Sequence, residues 1–145
     1  MPDSSSPSDL FTYGSLMCAD IMAQVAGAQL QSSPAVLYGY RRYLVRGEQY
    51  PGMVADSGGK VAGRVYHGIS PASWKRLDRF EGEMYARHKV VVNCHHGRET
   101  EVDCYLFRRE FVHLLTTIEW DFITFIKSGK ARFQNQYGGF NTIAE

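Results

Sequence analysis

The chain has 145 residues, of which 44% are hydrophobic, and its formal net charge is +1 at pH 7. A chain of this length fits one domain whose core is large enough to need neither disulfides nor a metal. Because its charges nearly balance, it lacks the broad positive field on which nonspecific nucleic-acid and membrane-surface binders rely, so we expect neither partner.

The cysteines and the first residues bear on the cellular compartment. Cys18, Cys94 and Cys104 are odd in number, widely spaced and without a CxxC pair, which favours reduced thiols and a cytoplasmic protein. Residues 1–9 are polar and lack the apolar core of a signal peptide, so we predict a flexible tail there, followed by a single domain over residues 10–145. No apolar run approaches the roughly 20 residues that cross a bilayer.

Hydrophobic periodicity predicts the elements of the first half of the chain. We expect a short buried strand, a helix that ends at Gly27, a strand, a turn-rich stretch and a further strand. These segments are LFTY (10–13), SLMCADIMAQVAG (15–27), AVLYGYRRYLVR (35–46), GEQYPGM (47–53) and KVAGRVYHGI (60–69). The core-facing stripe expected on the first helix consists of Leu16, Ile21, Met22 and Val25.

A second helix carries the clearest local signals of the sequence. In SPASWKRLDRFEG, Ser70 is the predicted N-cap, Pro71 the first helical residue and Gly82 the terminator. Its core face is expected to carry Trp74, Leu77 and Phe80.

The rest of the chain predicts a hairpin and a third helix. Strands over 84–94 and 101–107 are joined by the polar HHGRET, residues 117–129 suggest a helix, and residues 130–145 show no clear period. The predicted core face of the third helix carries Trp120, Ile123 and either Ile126 or Lys127. Because strands and helices do not alternate regularly, we expect an α+β fold in which a curled mixed or antiparallel sheet, similar to a small β-barrel, has helices packed outside.

Two places suggest chemistry. The turn Tyr13-Gly14-Ser15 lies between the first strand and the first helix, where backbone amides without partners can hold an anion. Glu81 lies at the end of the second helix beside Phe80, where apolar neighbours and the negative end of the helix dipole disfavour its charged form and make it a better base. Each feature taken alone also fits an ordinary tight turn or a surface glutamate.

Other reactive side chains favour structural roles. His95 and His96, with Cys94 and Cys104 nearby, match no usual zinc spacing and indicate a polar turn. Ser15 lacks an identifiable base, which favours a turn residue over a nucleophile. A solvated strand face is expected at Arg41, Arg42 and Arg46.

A series of motifs extends from about Leu10 to Phe107: YGSL, YRRYL with YPGM, VAGRVY, LDRFEGEMYARHKVVV and VDCYLF. In order and spacing they resemble the γ-glutamylcyclotransferase-like family, which includes γ-glutamylamine cyclotransferases and the avirulence-induced plant proteins. A weaker similarity covers Trp120, Asp121 and Phe125, and the segment after Ser128 has no counterpart.

The resemblance implies a set of site residues. The family motif Leu-Asp-x-Phe-Glu-Gly-x-x-Tyr-x-Arg matches residues 77–87, which implies that Glu81, and not Glu83, is the catalytic acid/base residue. The implied substrate-binding residues are Tyr13, Gly14, Ser15, Leu16, Tyr50, Pro51, Gly52, Tyr85, Arg87 and Tyr105. No metal site is implied.

The implied reaction is physically simple. A γ-glutamyl amine or peptide contains its own nucleophile, the α-amine, which closes the ring of 5-oxoproline and releases a free amine or amino acid. Well-aligned intramolecular attack has an effective molarity of about 10⁵ M or more. One carboxylate of raised pKa can take a proton from the ammonium and deliver one to the leaving amine, so no cofactor is required.

A different class of function fits the same residues. The cavity could belong to a non-catalytic domain that binds small molecules or another protein, because a fold does not by itself fix an activity. The sequence leaves the oligomeric state and the choice of γ-glutamyl compound open.

Overall fold

One six-stranded sheet organises the fold. The computed structural model describes residues 8–94 and 97–143. Within these ranges the strands are β1 (Ser8–Thr12), β2 (Ser32–Val45), β3 (Pro51–Ile69), β4 (Tyr85–Cys94), β5 (Glu99–Phe107) and β6 (Leu115–Glu119). Their hydrogen-bonded order is β3-β1-β5-β4-β2-β6.

The sheet closes on itself because β2 also pairs with β3. Five strands therefore form a barrel, and β6 pairs with β2 outside it. β1 runs parallel to β5, with Leu10 opposite Asp103, whereas the other described pairs are antiparallel. The mixed, curled sheet and its outer helices confirm the predicted α+β fold.

The hydrophobic core has two parts, one on each face of β1. Leu10 packs with Ile21 and Leu77 in the cluster between the barrel and the helices. Phe11 packs with Val65 in the cluster inside the barrel. Since successive strand residues point to opposite faces, β1 is buried on both sides. The core residues predicted on the first two helices are all buried: Leu16, Ile21, Met22, Val25, Trp74, Leu77 and Phe80.

Helix α2 (Pro71–Glu81) begins and ends where the sequence predicts. The Ser70 hydroxyl accepts a hydrogen bond from the Ser73 amide at 3.2 Å, which satisfies one of the amides left free at a helix start. Gly82 has a φ of 82°, a conformation that favours glycine, and there the chain leaves the helix.

The first helix is shorter than predicted. A 3₁₀ turn, Ser15–Met17, is followed by Cys18 in an extended conformation, with a ψ of 119°. Helix α1 then covers Ala19–Ala26 and ends at Gly27, whose φ is 74°, as predicted. The extended Cys18 separates the predicted single helix into two pieces.

Four strands begin earlier than the sequence predicts: β1, β2 at Ser32, β3, and β5 at Glu99. β1 starts at Ser8, which pairs with Ile69, so the tail predicted over residues 1–9 is wrong for Ser8 and Asp9, which belong to this strand. Residues 1–7 lie outside the described ranges. β3 starts at Pro51, inside the predicted turn, because pairing with Leu44 on β2 overrides the local turn signal. Proline is tolerated at the first position of a strand.

The prediction of a helix over 117–129 is wrong for residues 117–119, which belong to β6. The Asp121 carboxylate accepts a hydrogen bond at 2.8 Å from the amide three residues on and starts the helical region. Trp120 is buried as predicted, but Ile123 and Ile126 are exposed. The following segments are α3 (Phe122–Thr124), a π-helical turn (Phe125–Gly129), α4 (Lys130–Gln136) and a 3₁₀ turn (Gly138–Thr142).

None of the helices within residues 8–94 and 97–143 combines the length and the apolar character that a membrane crossing requires.

The Ser70 cap gives a stability prediction. Ser70→Ala removes the hydroxyl acceptor, and we expect the free energy of unfolding to fall by about 1 kcal/mol, as measured by urea denaturation. Ser57→Ala is the control, because Ser57 is exposed and caps no helix. Equal stabilities of the two variants would contradict the capping role.

Candidate active site

A cavity lies where the end of β1, the end of α2 and the region of α4 meet. Its wall includes nine of the eleven residues that the sequence singles out: Tyr13, Gly14, Ser15, Leu16, Tyr50, Pro51, Glu81, Tyr85 and Tyr105. Gly52 and Arg87 do not line it. The fold thus brings together residues that are up to 92 positions apart along the chain.

The loop from Tyr13 to Leu16 forms one side of this cavity. β1 ends at Thr12, and a 3₁₀ turn follows that is closed by the Met17 amide, which donates to the Gly14 carbonyl at 2.9 Å. In the described part of the chain, the amides of Gly14, Ser15 and Leu16 donate to no protein acceptor. All three residues line the cavity, and amides without a partner at the start of a helical turn are donors of the kind that bind anions.

Gly14 is required for close packing. Its φ is −134°, which other residues also adopt. A Cβ at this position would lie 2.9 Å from Pro51 Cδ, closer than such contacts allow. The glycine therefore lets two loops on the cavity wall pack against each other.

Arg42 supports the loop from behind. Its guanidinium donates to the Tyr13 carbonyl at 2.6 Å and to the Ala62 carbonyl at 3.0 Å. It also lies over the Trp120 ring, 5.0 Å from the centroid, and burial lowers its pKa below the usual value. The expectation of a solvated face is thus wrong for Arg42, because the barrel curls this part of β2 toward the β1 loop.

The Glu81 side chain lies at the cavity wall, on the last residue of α2. Glu81 is half-buried, and the partial removal of water around its carboxyl raises the pKa to about 8, to which the charge of Asp78, one turn earlier, adds. Among the described residues, no side chain donates a hydrogen bond to this carboxylate. The direction of the shift is the one expected from the sequence.

Two tyrosines, Tyr13 and Tyr85, are held in fixed orientations near Glu81. The Tyr85 hydroxyl donates to the Pro51 carbonyl at 2.7 Å, and the Tyr13 hydroxyl donates to the Tyr105 carbonyl. Burial raises the pKa of Tyr13 and of Tyr85 well above the usual value. These phenols therefore stay neutral and act as rigid walls.

Arg87 lies outside the cavity, contrary to expectation. Its guanidinium stacks on Trp74 at 4.2 Å from the ring centroid and donates to Asp78 Oδ2 at 3.1 Å. The other Asp78 oxygen accepts a hydrogen bond from the Tyr105 hydroxyl at 2.6 Å. Arg87 thus reaches the cavity only through Asp78 and Tyr105.

Gly52 is a packing position. A Cβ there would lie 2.7 Å from side-chain atoms of Leu115 and Phe107. Its lack of a side chain lets β3 pass beneath these two residues, while its neighbour Pro51 lines the cavity.

Six wall residues were not among the predicted site residues: Leu10, Phe11, Thr12, Phe80, Phe133 and Tyr137. Phe133 and Tyr137 lie in the segment without a recognised pattern. Together with Phe140 they are spaced by four and three residues, the spacing of one helix face. That spacing was the available signal. It was obscured because the aromatic residues continue past the end of α4 at Gln136.

Within the described ranges, no three His, Cys, Asp or Glu side chains are grouped so that they could hold a metal ion. His95 and His96, for which a polar turn was predicted, lie outside the described residues.

A model of the family described as "Gamma-glutamyl cyclotransferase, AIG2-like" matches residues 10–122. The chain belongs to this family. This confirms the resemblance predicted from the motifs. The match ends at Phe122, so α4 and the 3₁₀ turn after it lie beyond the AIG2-like domain model.

Relatives of this AIG2-like chain include Protein AIG2 C of Arabidopsis thaliana, which is 34% identical over 115 residues, or 79% of this chain and 69% of that protein. A solution structure of an Arabidopsis thaliana protein has a TM-score of 0.70 and 30% identity, covering 93% of this chain and 81% of that chain. A structure named gamma-glutamyl cyclotransferase has a TM-score of 0.63 and 18% identity, covering 70% of this chain and 66% of that chain, which shows a shared fold.

The raised pKa of Glu81 gives a pH-dependent stability prediction. A carboxyl whose pKa is about 8 when folded and 4.5 when unfolded binds more protons in the folded state between these values, so its contribution to stability falls as pH rises through that window. Glu81→Gln removes this loss. Thermal or urea unfolding should show the variant more stable than wild type at about pH 9, by up to about 5 kcal/mol, with the advantage disappearing at about pH 4. A difference that does not change with pH would contradict the raised pKa.

Proposed function

We propose that the protein is a γ-glutamyl cyclotransferase, which converts a γ-glutamyl amine or γ-glutamyl amino acid to 5-oxoproline and the free amine. The proposal rests on one observation above all. A carboxyl of raised pKa, Glu81, lines the same cavity as the free backbone amides of Gly14, Ser15 and Leu16. A base and a set of anion donors are the two components that this reaction needs.

In the proposed reaction, Glu81 first takes a proton from the α-ammonium of the substrate. The freed amine nitrogen attacks the γ-carbonyl carbon and forms the new C–N bond of the ring, and the carbonyl oxygen becomes an oxyanion. Glu81 gives its proton to the leaving nitrogen and takes the second proton from the ring nitrogen, which the attack has made positively charged. Collapse of this intermediate breaks the bond to the leaving nitrogen, and the released amine takes that second proton from Glu81, which returns to its carboxylate form. Atoms and charges balance without an oxidant or a second substrate.

The two wall elements have different roles in this scheme. A carboxyl with a pKa of about 8 suits both halves of the proton transfer near neutral pH, because catalytic groups work best when their pKa is close to the working pH. The loop amides would bind the substrate's carboxylate or the oxyanion, and losing one oxyanion donor typically costs about 3 kcal/mol. The neutral, buried tyrosines and phenylalanines exclude water and hold the substrate folded on itself, which supplies the alignment.

Activity of matched variants tests the proposal. The protein is incubated with a panel of γ-glutamyl amines and γ-glutamyl amino acids, and 5-oxoproline is measured by mass spectrometry. We expect turnover by wild type and no detectable turnover by Glu81→Gln, which keeps the shape of the side chain but removes the base. Glu83→Gln makes the same chemical change at an exposed position two residues away and should retain activity.

Two outcomes would overturn the proposal. One is near-normal turnover by a folded Glu81→Gln variant. The other is saturable binding of γ-glutamyl compounds by wild type without any product, which would instead support a non-catalytic binding domain.

The pH profile gives an independent prediction. Because the charged form of Glu81 is the base, kcat/KM should rise with pH and level off above about 8, where that form predominates. A glutamate with an ordinary pKa would give a level profile already at about pH 6. Steady-state kinetics between about pH 5 and pH 9 distinguishes the two cases.

A further inference from the structure

The segment beyond the family match completes the cavity. Phe133 and Tyr137 line it, although the AIG2-like model ends at residue 122. Their rings are stacked, with centroids 4.8 Å apart and an interplanar angle of 17°. The Tyr137 ring also meets Phe80 of α2 edge-on at 4.9 Å. The C-terminal segment is therefore attached to the end of the helix that carries Glu81.

The Tyr137 hydroxyl is bonded to the backbone of that helix end. It donates to the Phe80 carbonyl at 2.7 Å and to the Glu81 carbonyl at 3.1 Å, so one proton is shared between two acceptors. Carbonyls in the last turn of a helix have no partner within the helix. Here the last helical bond runs from the Gly82 amide to the Asp78 carbonyl, and the Tyr137 hydroxyl satisfies two of the three helix carbonyls that follow, those of Phe80 and Glu81.

The backbone at Gly139 also packs against the Phe80 carbonyl, which accepts the hydrogen bond from Tyr137. A Cβ on Gly139 would lie 2.4 Å from the Phe80 carbonyl oxygen and 2.3 Å from Cε2 of Tyr137. Both distances are too short for any residue except glycine. The backbone after α4 is thus packed directly against the end of α2, and this contact is independent of the hydroxyl.

From this geometry we propose that Tyr137 is a positioning residue for the reaction proposed above: its hydroxyl fixes the last turn of α2 so that the Glu81 side chain is directed into the cavity. Tyr137 acts through the backbone of Glu81 and transfers no proton. The part of the chain beyond the family domain is then required for activity, although it contributes no catalytic residue.

The surroundings of the Glu81 carboxyl explain why its direction matters. The charged group that acts on it is Asp78 of its own helix, and the other titratable groups on the cavity wall are five tyrosines: Tyr13, Tyr50, Tyr85, Tyr105 and Tyr137. Burial raises the pKa of Tyr137 above the usual value, so its hydroxyl keeps the proton that it donates. A Glu81 side chain released from this position would turn toward water and return toward an ordinary pKa.

The variant Tyr137→Phe tests the proposal, since it keeps the ring and its packing and removes only the hydroxyl. We expect kcat to fall about tenfold, as for the loss of one hydrogen bond that holds a catalytic group, with KM changed less than about twofold. In ¹³C NMR titrations of carboxyl-labelled protein without substrate, the Glu81 resonance, assigned with Glu81→Gln, should titrate below the wild-type pKa of about 8. A purely structural role would not move that pKa.

A matched control lies in the same segment. The Thr142 hydroxyl donates to the Gly139 carbonyl at 2.7 Å, and Thr142 is exposed and does not line the cavity. Thr142→Val removes this bond and should leave kcat and the Glu81 pKa at wild-type values. If Tyr137→Phe fails to fold, Gly139→Ala is the second variant. Its added Cβ pushes against the Phe80 carbonyl and the Tyr137 ring, and so disturbs the contact between them without removing the hydroxyl. We expect this variant to lower both kcat and the pKa of Glu81.

The outcomes separate this proposal from the proposed function. If wild type forms no 5-oxoproline from any compound, the cyclotransferase proposal fails, but the NMR titration still decides whether Tyr137 positions Glu81. If Tyr137→Phe keeps the wild-type kcat and the wild-type Glu81 pKa, the positioning role is overturned, even if the variant is less stable.

Discussion

The removal of water from one carboxyl, that of Glu81, is the constraint on which the rest of this structure depends. A carboxylate is stable in water, and a protein that shelters it among aromatic rings makes its charged form unfavourable. Glu81 lies in such surroundings at the end of α2, and the negative charge of Asp78 makes its charged form still less favourable. The surrounding aromatic side chains stabilise the fold by burial, and the same burial makes the carboxyl a stronger base.

Closure of the barrel brings the loop and the base together. β1 lies between β3 and β5, and the loop that follows it places Tyr13, Gly14, Ser15 and Leu16 at the cavity wall. β5 carries Tyr105, whose hydroxyl bonds to Asp78 on α2. A chain of contacts therefore joins the barrel to the helix that ends in Glu81. Rigid strands and helices hold such a site more accurately than flexible loops do.

The features that the sequence predicts best are those determined by residues close together along the chain. Ser70, Pro71 and Gly82 define α2 because capping and helix termination are local. The ordered motifs identified the family, and they also pointed to most of the cavity wall. By contrast, the hydrogen bond of Arg42 to the Tyr13 loop and that of Tyr137 to α2 join distant segments. No local pattern specifies such contacts, so Arg42 was predicted to lie in solvent and Tyr137 was not identified.

The hydrogen bond from Arg42 changes the charge distribution in the peptide group between Tyr13 and Gly14. The carbonyl that accepts its hydrogen bond belongs to Tyr13, and the N–H of Gly14 is part of the same planar peptide group. A cation that draws electron density toward the oxygen leaves the hydrogen on the nitrogen more positive, since linked hydrogen bonds polarise one another. A guanidinium behind the loop, stacked on Trp120, thereby makes the first of the three free amides a stronger partner for negative charge.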